Sequence, residues 1–381
     1  MLTAISPRTF AVLALCVLSV PLLAQDKSKA PTKTSALVKL AEPWPDADGM
    51  KARRIEAEQR KLFASTDAFP FTLKADFKVI NKDRSVEGKK DYPGELTVTG
   101  DGGATKTLRV KLRTRGHFRL RASSCSFVPL RVEFDKDEVT GTVFERQKTL
   151  KLITHCQSDK EYVQYIMREY LVYRVHNILT PRSFRARLSN ATYVQATDGK
   201  PVITRLGMFL EDDDDVARRM DGRIAQLPRA LFKDVDQEML TFTTVFEYMI
   251  GSTDYSIYAL HNIRLIRTQA NKTYTVPYDF DMTGLVNASY ALADRALGLK
   301  SVRDRLYRGP CRTAEELEPV LTQFKAHKTE ILAVFDSLPD LDQQNRRDAK
   351  DYLDEFYRTL DRPGDVKRTF IDGQCSKKST M

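Results

Sequence analysis

A chain of 381 residues with 61 Lys and Arg against 51 Asp and Glu carries a formal charge of +10, and its 29% of charged residues are mixed in sign. That length admits two lobes or domains of roughly 100–200 residues each, and the charge balance permits contact with phosphates, anionic polymers or membrane surfaces without selecting among them. Aromatic residues at 9% are ordinary and no nucleic-acid-binding module signature occurs, so nucleic acid is not an expected partner.

The chain opens on Arg8 and the apolar run "FAVLALCVLSVPLLA", which ends at Ala24 before the polar "QDKSKAPTKT". This is the layout of a secretory signal peptide over 1–24, with cleavage after Ala24 or Gln25. The run is short for a membrane span of about 20 residues and contains Pro21. Cys16 follows Leu15, where a lipoprotein site expects a small residue, and no later stretch is apolar enough to cross a membrane. The expected location is outside the cytoplasm, periplasmic or extracellular. Residues 25–46, rich in Lys, Ser, Thr, Ala and Pro, read as a flexible tether.

Cys125, Cys156, Cys311 and Cys375 follow the leader, an even number compatible with two disulfides in an oxidising compartment. Of the three connectivities, Cys125 with Cys156 and Cys311 with Cys375 needs the least long-range closure. A zinc site is not expected, because no two of these cysteines are close in sequence and the five histidines do not cluster.

Leu73, Ala75, Phe77 and Val79 alternate with polar residues, which predicts a half-buried strand. "ELTVTGDGGATKTLRVKLRTRG" reads as two strands around a turn at Gly100 to Gly103; no helix start follows, so a hairpin turn is preferred to a phosphate cradle. Lys111, Arg113, Arg115, His117, Arg119 and Arg121 occupy successive odd positions, and an extended strand would put all of them on one face. Such a face needs an anion, solvent, or the Asp212 to Asp215 run as compensation. "PLRVEF" (129–134) and "KTLKLITH" (148–155) supply further strands.

A helix is expected over 159–179, with Val163, Ile166, Met167, Tyr170, Leu171, Val175 and Ile178 as its apolar stripe and Glu169 nearly opposite. Two strands follow in "SFRARLSNATYV" and "PVITRLGMFLED", and the carboxylate run after Glu211 reads as a solvated loop, with a cation site or hinge as the lesser option. Asp234 to Ile250 forms a second helix with Gly251 as its stop. "NIRLIR" and "TYTVPYDF" make a hairpin, and 313–360 returns to helix before Pro363. The order predicts an α+β protein: a β-rich N-terminal lobe with one long helix over 47–210, and a mainly helical C-terminal lobe over 211–381.

Chemistry concentrates in "GSTDYSIYALHNIRLIRTQANKTYTVPYDFDMTG". Asp254 lies in the loop after a helix, Asn262 opens a strand, and Asp279 and Asp281 stand where the hairpin ends. Each alone reads equally well as a turn residue. Together they supply, in the order used by protein kinases, a carboxylate near the acceptor and oxygen ligands for a metal on the phosphates. The spacing of Asp254 and Asn262 is wider than in protein kinases, no His-Arg-Asp precedes the loop, and the metal motif is Asp-Met-Thr-Gly.

From about 109 to 284 the chain resembles the CotH-like (spore-coat protein H) family of secreted atypical kinases. "TRGHFR", "PLRVEF", "KTLKLITH" with "YIMREYLVYRV", "GMFLEDD", "TDYSIYALHN" and "YDFDMTG" carry the resemblance. It implies a two-lobed protein-kinase-like fold, ATP with Mg²⁺ or Mn²⁺ as cofactors, and transfer of phosphate to a protein Ser/Thr or surface-polymer acceptor. By the same resemblance Asp254 is the acceptor-side carboxylate, and Asn262 with Asp279 or Asp281 binds the metal. Lys151 contacts phosphate, with Lys148 as the alternative, and Glu169 is its helix partner. Arg115 and Arg113, on the Arg-Gly strand, are further nucleotide-side candidates. The competing reading is a non-catalytic envelope or secreted protein that keeps the scaffold and binds an anionic partner through its basic strand.

Overall fold

The computed structural model describes residues 40–88, 90–373 and 375; the expected leader and most of the expected tether, residues 1–39, lie outside them. The last residues of that tether are held in place, since Arg223 donates to the Glu42 and Pro43 carbonyls and its guanidinium stacks on Trp44. Helix α1 (Ala47–Glu58), capped by Asp46, follows and was not expected; it buries only Met50 and Ala57, too few apolar positions to leave a stripe in the sequence.

Seven strands then close into a barrel: β1 (Phe69–Ala75), β2 (Tyr92–Thr99), β3 (Thr105–Thr114), β4 (Leu130–Phe134), β5 (Thr149–Ile153), β6 (Ala186–Gln195) and β7 (Pro201–Leu210). Their order is β1-β2-β3-β4-β5-β7-β6, and parallel pairing of β1 with β6 seals it. Alternate residues point inward, among them Leu73, Leu96, Leu108, Val132, Leu152 and Phe209, so period-two patterning builds one core. The closure was not expected, because it rests on a pairing between strands more than a hundred residues apart.

Two expectations in this region change. The alternation through Val79 is not one strand: β1 stops at Ala75, and Asp76 caps a single-turn helix α2 (Phe77–Ile80) by accepting from the Val79 amide. Nor do the odd-numbered cations share a face. The chain leaves β3 at Thr114 and bends through Gly116, whose φ of 99° suits glycine. Lys111 and Arg113 stay on the outside of the barrel, paired with Glu133 and Asp91, while Arg119 is buried on a 3-10 turn at Phe118–Leu120.

Helix α3 (Lys160–Leu179) links β5 to β6 and packs into a second core with the C-terminal helices. Both its sides are covered: Glu169, Tyr173 and His176 are as buried as the main stripe. After the barrel come α4 (Asp213–Arg219), β8 (Gly222–Ile224), α5 (Gln237–Ile250), β9 (Ile263–Thr268) and β10 (Thr273–Pro277), the strands forming a sheet in the order β10-β9-β8. Helices α6 (Ala314–Ala326), α7 (Lys328–Val334), α8 (Gln343–Leu360) and α9 (Pro363–Val366) complete the core around Phe246, Phe324, Tyr352 and Phe356.

The Asp212 to Asp215 run is not a solvated loop. Asp212 caps α4, and the buried Asp215 receives two bonds from Arg60 at 2.6 and 2.8 Å. Cys125–Cys156 and Cys311–Cys375 are both bonded, with Cα separations of 4.6 and 4.7 Å, as the sequence suggested. Among the described residues no helix is long and apolar enough to cross a membrane. The architecture is thus mixed α and β, a closed barrel followed by a largely helical second core.

Candidate functional site

Helix α5 ends at Gly251, whose φ of 66° gives the left-handed C-cap. A side chain there would run into the Tyr352 hydroxyl and the Gly284 backbone. The Gly284 amide donates to Gly251 O at 3.0 Å, and the Leu285 amide to Ile250 O at 3.0 Å, which ties the end of α5 to the segment just after Asp281. Between these anchors the loop carrying Asp254 is held by Arg308, which donates to the carbonyls of Thr253 and Tyr255 on either side.

Asn262, with φ 52°, opens β9 and accepts at its carbonyl from the Tyr278 amide at 3.0 Å; Asp279, with φ 65°, follows at once. Two residues in the sparsely populated left-handed region, joined across the hairpin mouth, aim both side chains into one cleft. The Asn262 amide group donates to the Asp254 carbonyl at 2.7 Å and carboxylate at 3.2 Å, and His261 Nε2 lies 3.0 Å from the same carboxylate. That contact raises the His261 pKa above its ordinary value despite partial burial.

The cleft has a volume of about 590 Å³ and is lined by Lys151, Arg115, Asp254, Asn262, Asp279 and Asp281, with Arg119, Arg131, Asp213 and Arg264 also in its wall. Six of the residues singled out from sequence therefore meet in one place. Arg113 does not: it is paired with Asp91 on the barrel exterior. Glu169 lies beneath the floor, 2% exposed, with Oε1 lacking a hydrogen-bond partner. It is not the partner of Lys151. That partner is Asp213, which also receives Arg264 at 2.7 Å.

Burial drives the Glu169 carboxyl well above its usual range, with nearby Arg119 opposing and the charges of Asp281 and Asp279 adding to the rise. At Asp279 burial pushes the same way but is outweighed by Arg115, Arg119 and Lys151, which hold it below the ordinary value. At Asp281 burial prevails over Arg119, and the pKa rises. Lys151 is lowered by burial, against the pull of Asp213.

The question of which aspartate faces the cleft is answered by both. Arg119 approaches Asp279 Oδ1 at 3.5 Å and Asp281 Oδ2 at 3.4 Å, and Asp281 also accepts from the Tyr290 hydroxyl at 3.2 Å. Among the described residues no three His, Cys, Asp or Glu side chains cluster, and the Arg119 guanidinium lies within 3.5 Å of both aspartate carboxylates.

Sequence reasoning missed Arg119, Asp213 and His261. The signal for Arg119 was Gly116, a chain bend that ends the strand face on which the cation had been placed.

No protein-family model matches the chain, and no curated protein does. Among solved structures it is similar to the crystal structure of a Helicobacter pylori proinflammatory kinase, CtkA, at 12% identity over 64% of this chain and 89% of that one, with a TM-score of 0.33. A likeness that loose carries no functional weight.

Proposed function

We propose that the chain is an exported, CotH-like phosphotransferase with the barrel and the helical core as its two lobes, moving the terminal phosphate of a nucleoside triphosphate such as ATP to a hydroxyl on a protein or surface polymer. One observation carries the reading: Lys151, Arg115, Asp254, Asn262, Asp279 and Asp281, drawn from three separate stretches of the sequence, line a single cleft. Arg115 makes no ion pair within 4 Å among the described residues, and its charge, which also acts on Asp279, faces the cleft where phosphate would lie.

An adjoining cavity of about 470 Å³ shares Lys151, Asp213 and Arg264 with the cleft and offers Ile224, Leu227, Leu260 and Leu265 as apolar walls. It suits a nucleoside whose phosphates reach toward Lys151 and Arg115. The acceptor oxygen would form its bond to the terminal phosphorus as the bond from that phosphorus to the bridging oxygen breaks. The diphosphate leaves, and the hydroxyl proton passes to the Asp254 carboxylate. Any Mg²⁺ or Mn²⁺ enters as part of the nucleotide substrate. Two disulfides fit an oxidising, non-cytoplasmic setting.

The non-catalytic reading loses its main support, because Lys111 and Arg113 are already compensated by Glu133 and Asp91. The test is binding and turnover with the purified chain. ATP with Mg²⁺ should raise the melting temperature and be consumed in the presence of an acceptor, and Lys151→Met should lose both effects. No shift and no turnover in the native protein would remove the proposal.

A further inference from the structure

Arg119 stands where a kinase-like reading calls for a metal. Its guanidinium bridges Asp279 and Asp281 at 3.5 and 3.4 Å, and its side chain is only 8% exposed. Burial alone would disfavour a charge there, but the Asp281 and Asp279 carboxylates face it and offset that cost.

The turn that carries it is fixed on both sides. Arg84 donates to the Leu120 carbonyl at 3.2 Å and the Cys125 carbonyl at 2.9 Å. Cys125 is tied to Cys156, and Phe118 packs on Tyr290 with ring centres 5.9 Å apart. A guanidinium on a turn anchored at Leu120, at Cys125 and through Phe118 has little freedom to leave.

We infer that Arg119 is the resident cation of the Asp279–Asp281 pair, so that the protein itself holds no divalent ion there and presents this guanidinium, beside Arg115, to the phosphate chain of an incoming polyphosphate. A guanidinium can do this because its planar donors satisfy carboxylate and phosphate oxygens at once. The inference deepens the phosphotransferase reading and rests on it only for the identity of the ligand. Arg119 is a binding residue on this account, lining the same cleft as Lys151 and Asp254.

The experiment titrates the full-length chain with Mn²⁺ alone, without nucleotide, and follows free Mn²⁺ by electron paramagnetic resonance. The native protein should show no stoichiometric site. Arg119→Gln should gain one, at least about tenfold tighter than anything in the native protein, since a unit positive charge has been removed from between two carboxylates. Arg119→Lys, which keeps the charge, should not. The gained site should vanish in Arg119→Gln combined with Asp281→Asn.

A stoichiometric Mn²⁺ site in the native protein, abolished by Asp281→Asn and no tighter in Arg119→Gln, would overturn the inference. A stoichiometric native site that Asp281→Asn abolishes overturns the inference without the Arg119 variant, so the test survives an Arg119→Gln that fails to fold. A second arm uses inorganic triphosphate free of divalent ions, which should bind the native chain and bind Arg119→Gln at least about tenfold more weakly. Failure of nucleotide or triphosphate to bind at all would sink the phosphotransferase reading, while the Mn²⁺ arm would still report on Arg119.

Discussion

The side-chain amide of Asn262 donates twice to Asp254, to its main-chain carbonyl at 2.7 Å and to its carboxylate at 3.2 Å. One residue thus fixes both the backbone and the reactive end of the residue assigned to the acceptor. Asn262→Ala should lower the transfer rate by about 10²-fold through misplacement, leaving the nucleotide-induced rise in melting temperature unchanged. Because Asn262 has φ 52°, alanine there also costs about 1–2 kcal/mol of backbone strain. Asn262→Gly separates the two effects: it relieves the strain but should lose the rate equally. A glycine variant with native kcat would show that the amide does not position Asp254.

Asp213 neutralises two half-buried cations, Lys151 and Arg264. Burial works to raise its carboxyl pKa, but those cations outweigh it and hold the value down to about 2. Lys151 shows the opposite balance, with burial lowering its pKa; since it stays charged throughout the acid range, the carboxylate governs the acid limb. A folded value below the unfolded one of about 3.9 means stability that is present above pH ~4 and lost as pH falls toward ~2. Asp213→Asn should therefore cost on the order of 2 kcal/mol at pH 7, with the gap to wild type closing as pH falls. Urea unfolding at pH 7 and pH 3 measures this, and a gap of equal size at both would refute the linkage.

Much of this site was legible because its pieces are local. Gly251, Asn262 and the two aspartates stand at element ends, where helix stops and hairpin turns leave signals in a single stretch of sequence. What could not be read is what depends on long-range closure. Asp213 meets Lys151 only because β5 pairs with β7, and Arg119 reaches Asp279 across 160 residues. The barrel is the same case, since the alternation in β1 is visible while its parallel pairing with β6 is not. Alternation itself misled at Phe77 and Val79, where Asp76 offered a helix cap that a period-two count does not see.

The Cys125–Cys156 bond closes a segment with a sequence separation of 31 and flanks the turn bearing Arg119. Replacing both cysteines with alanine should lower stability by about 3–4 kcal/mol in the chain-entropy account, and should also weaken triphosphate binding, because the Arg119 turn loses an anchor. Removing Cys311–Cys375, neither of whose residues lines the cleft, should cost comparable stability with triphosphate affinity intact. Melting curves with and without triphosphate separate the outcomes. Equal loss of affinity in both double variants would mean that the effect is global.

Glu247 on α5 is 1% exposed, and its Oε2 has no hydrogen-bond partner. Burial raises its carboxyl pKa to about 8, with Ser252 and Arg308 opposing and Asp254 adding to the rise. The unfolded value is about 4.3, so the group favours the fold below that pH, and the contribution is lost as pH climbs through about 8. Glutamine keeps the shape and cannot ionise. Glu247→Gln should match wild type near pH 4 and exceed it by on the order of 2–4 kcal/mol at pH 8. Chemical denaturation at the two pH values checks this. If the variant is instead less stable than wild type at pH 8, Glu247 is ionised in the fold and paired with Arg308, and the loop bearing Asp254 is braced by a buried ion pair.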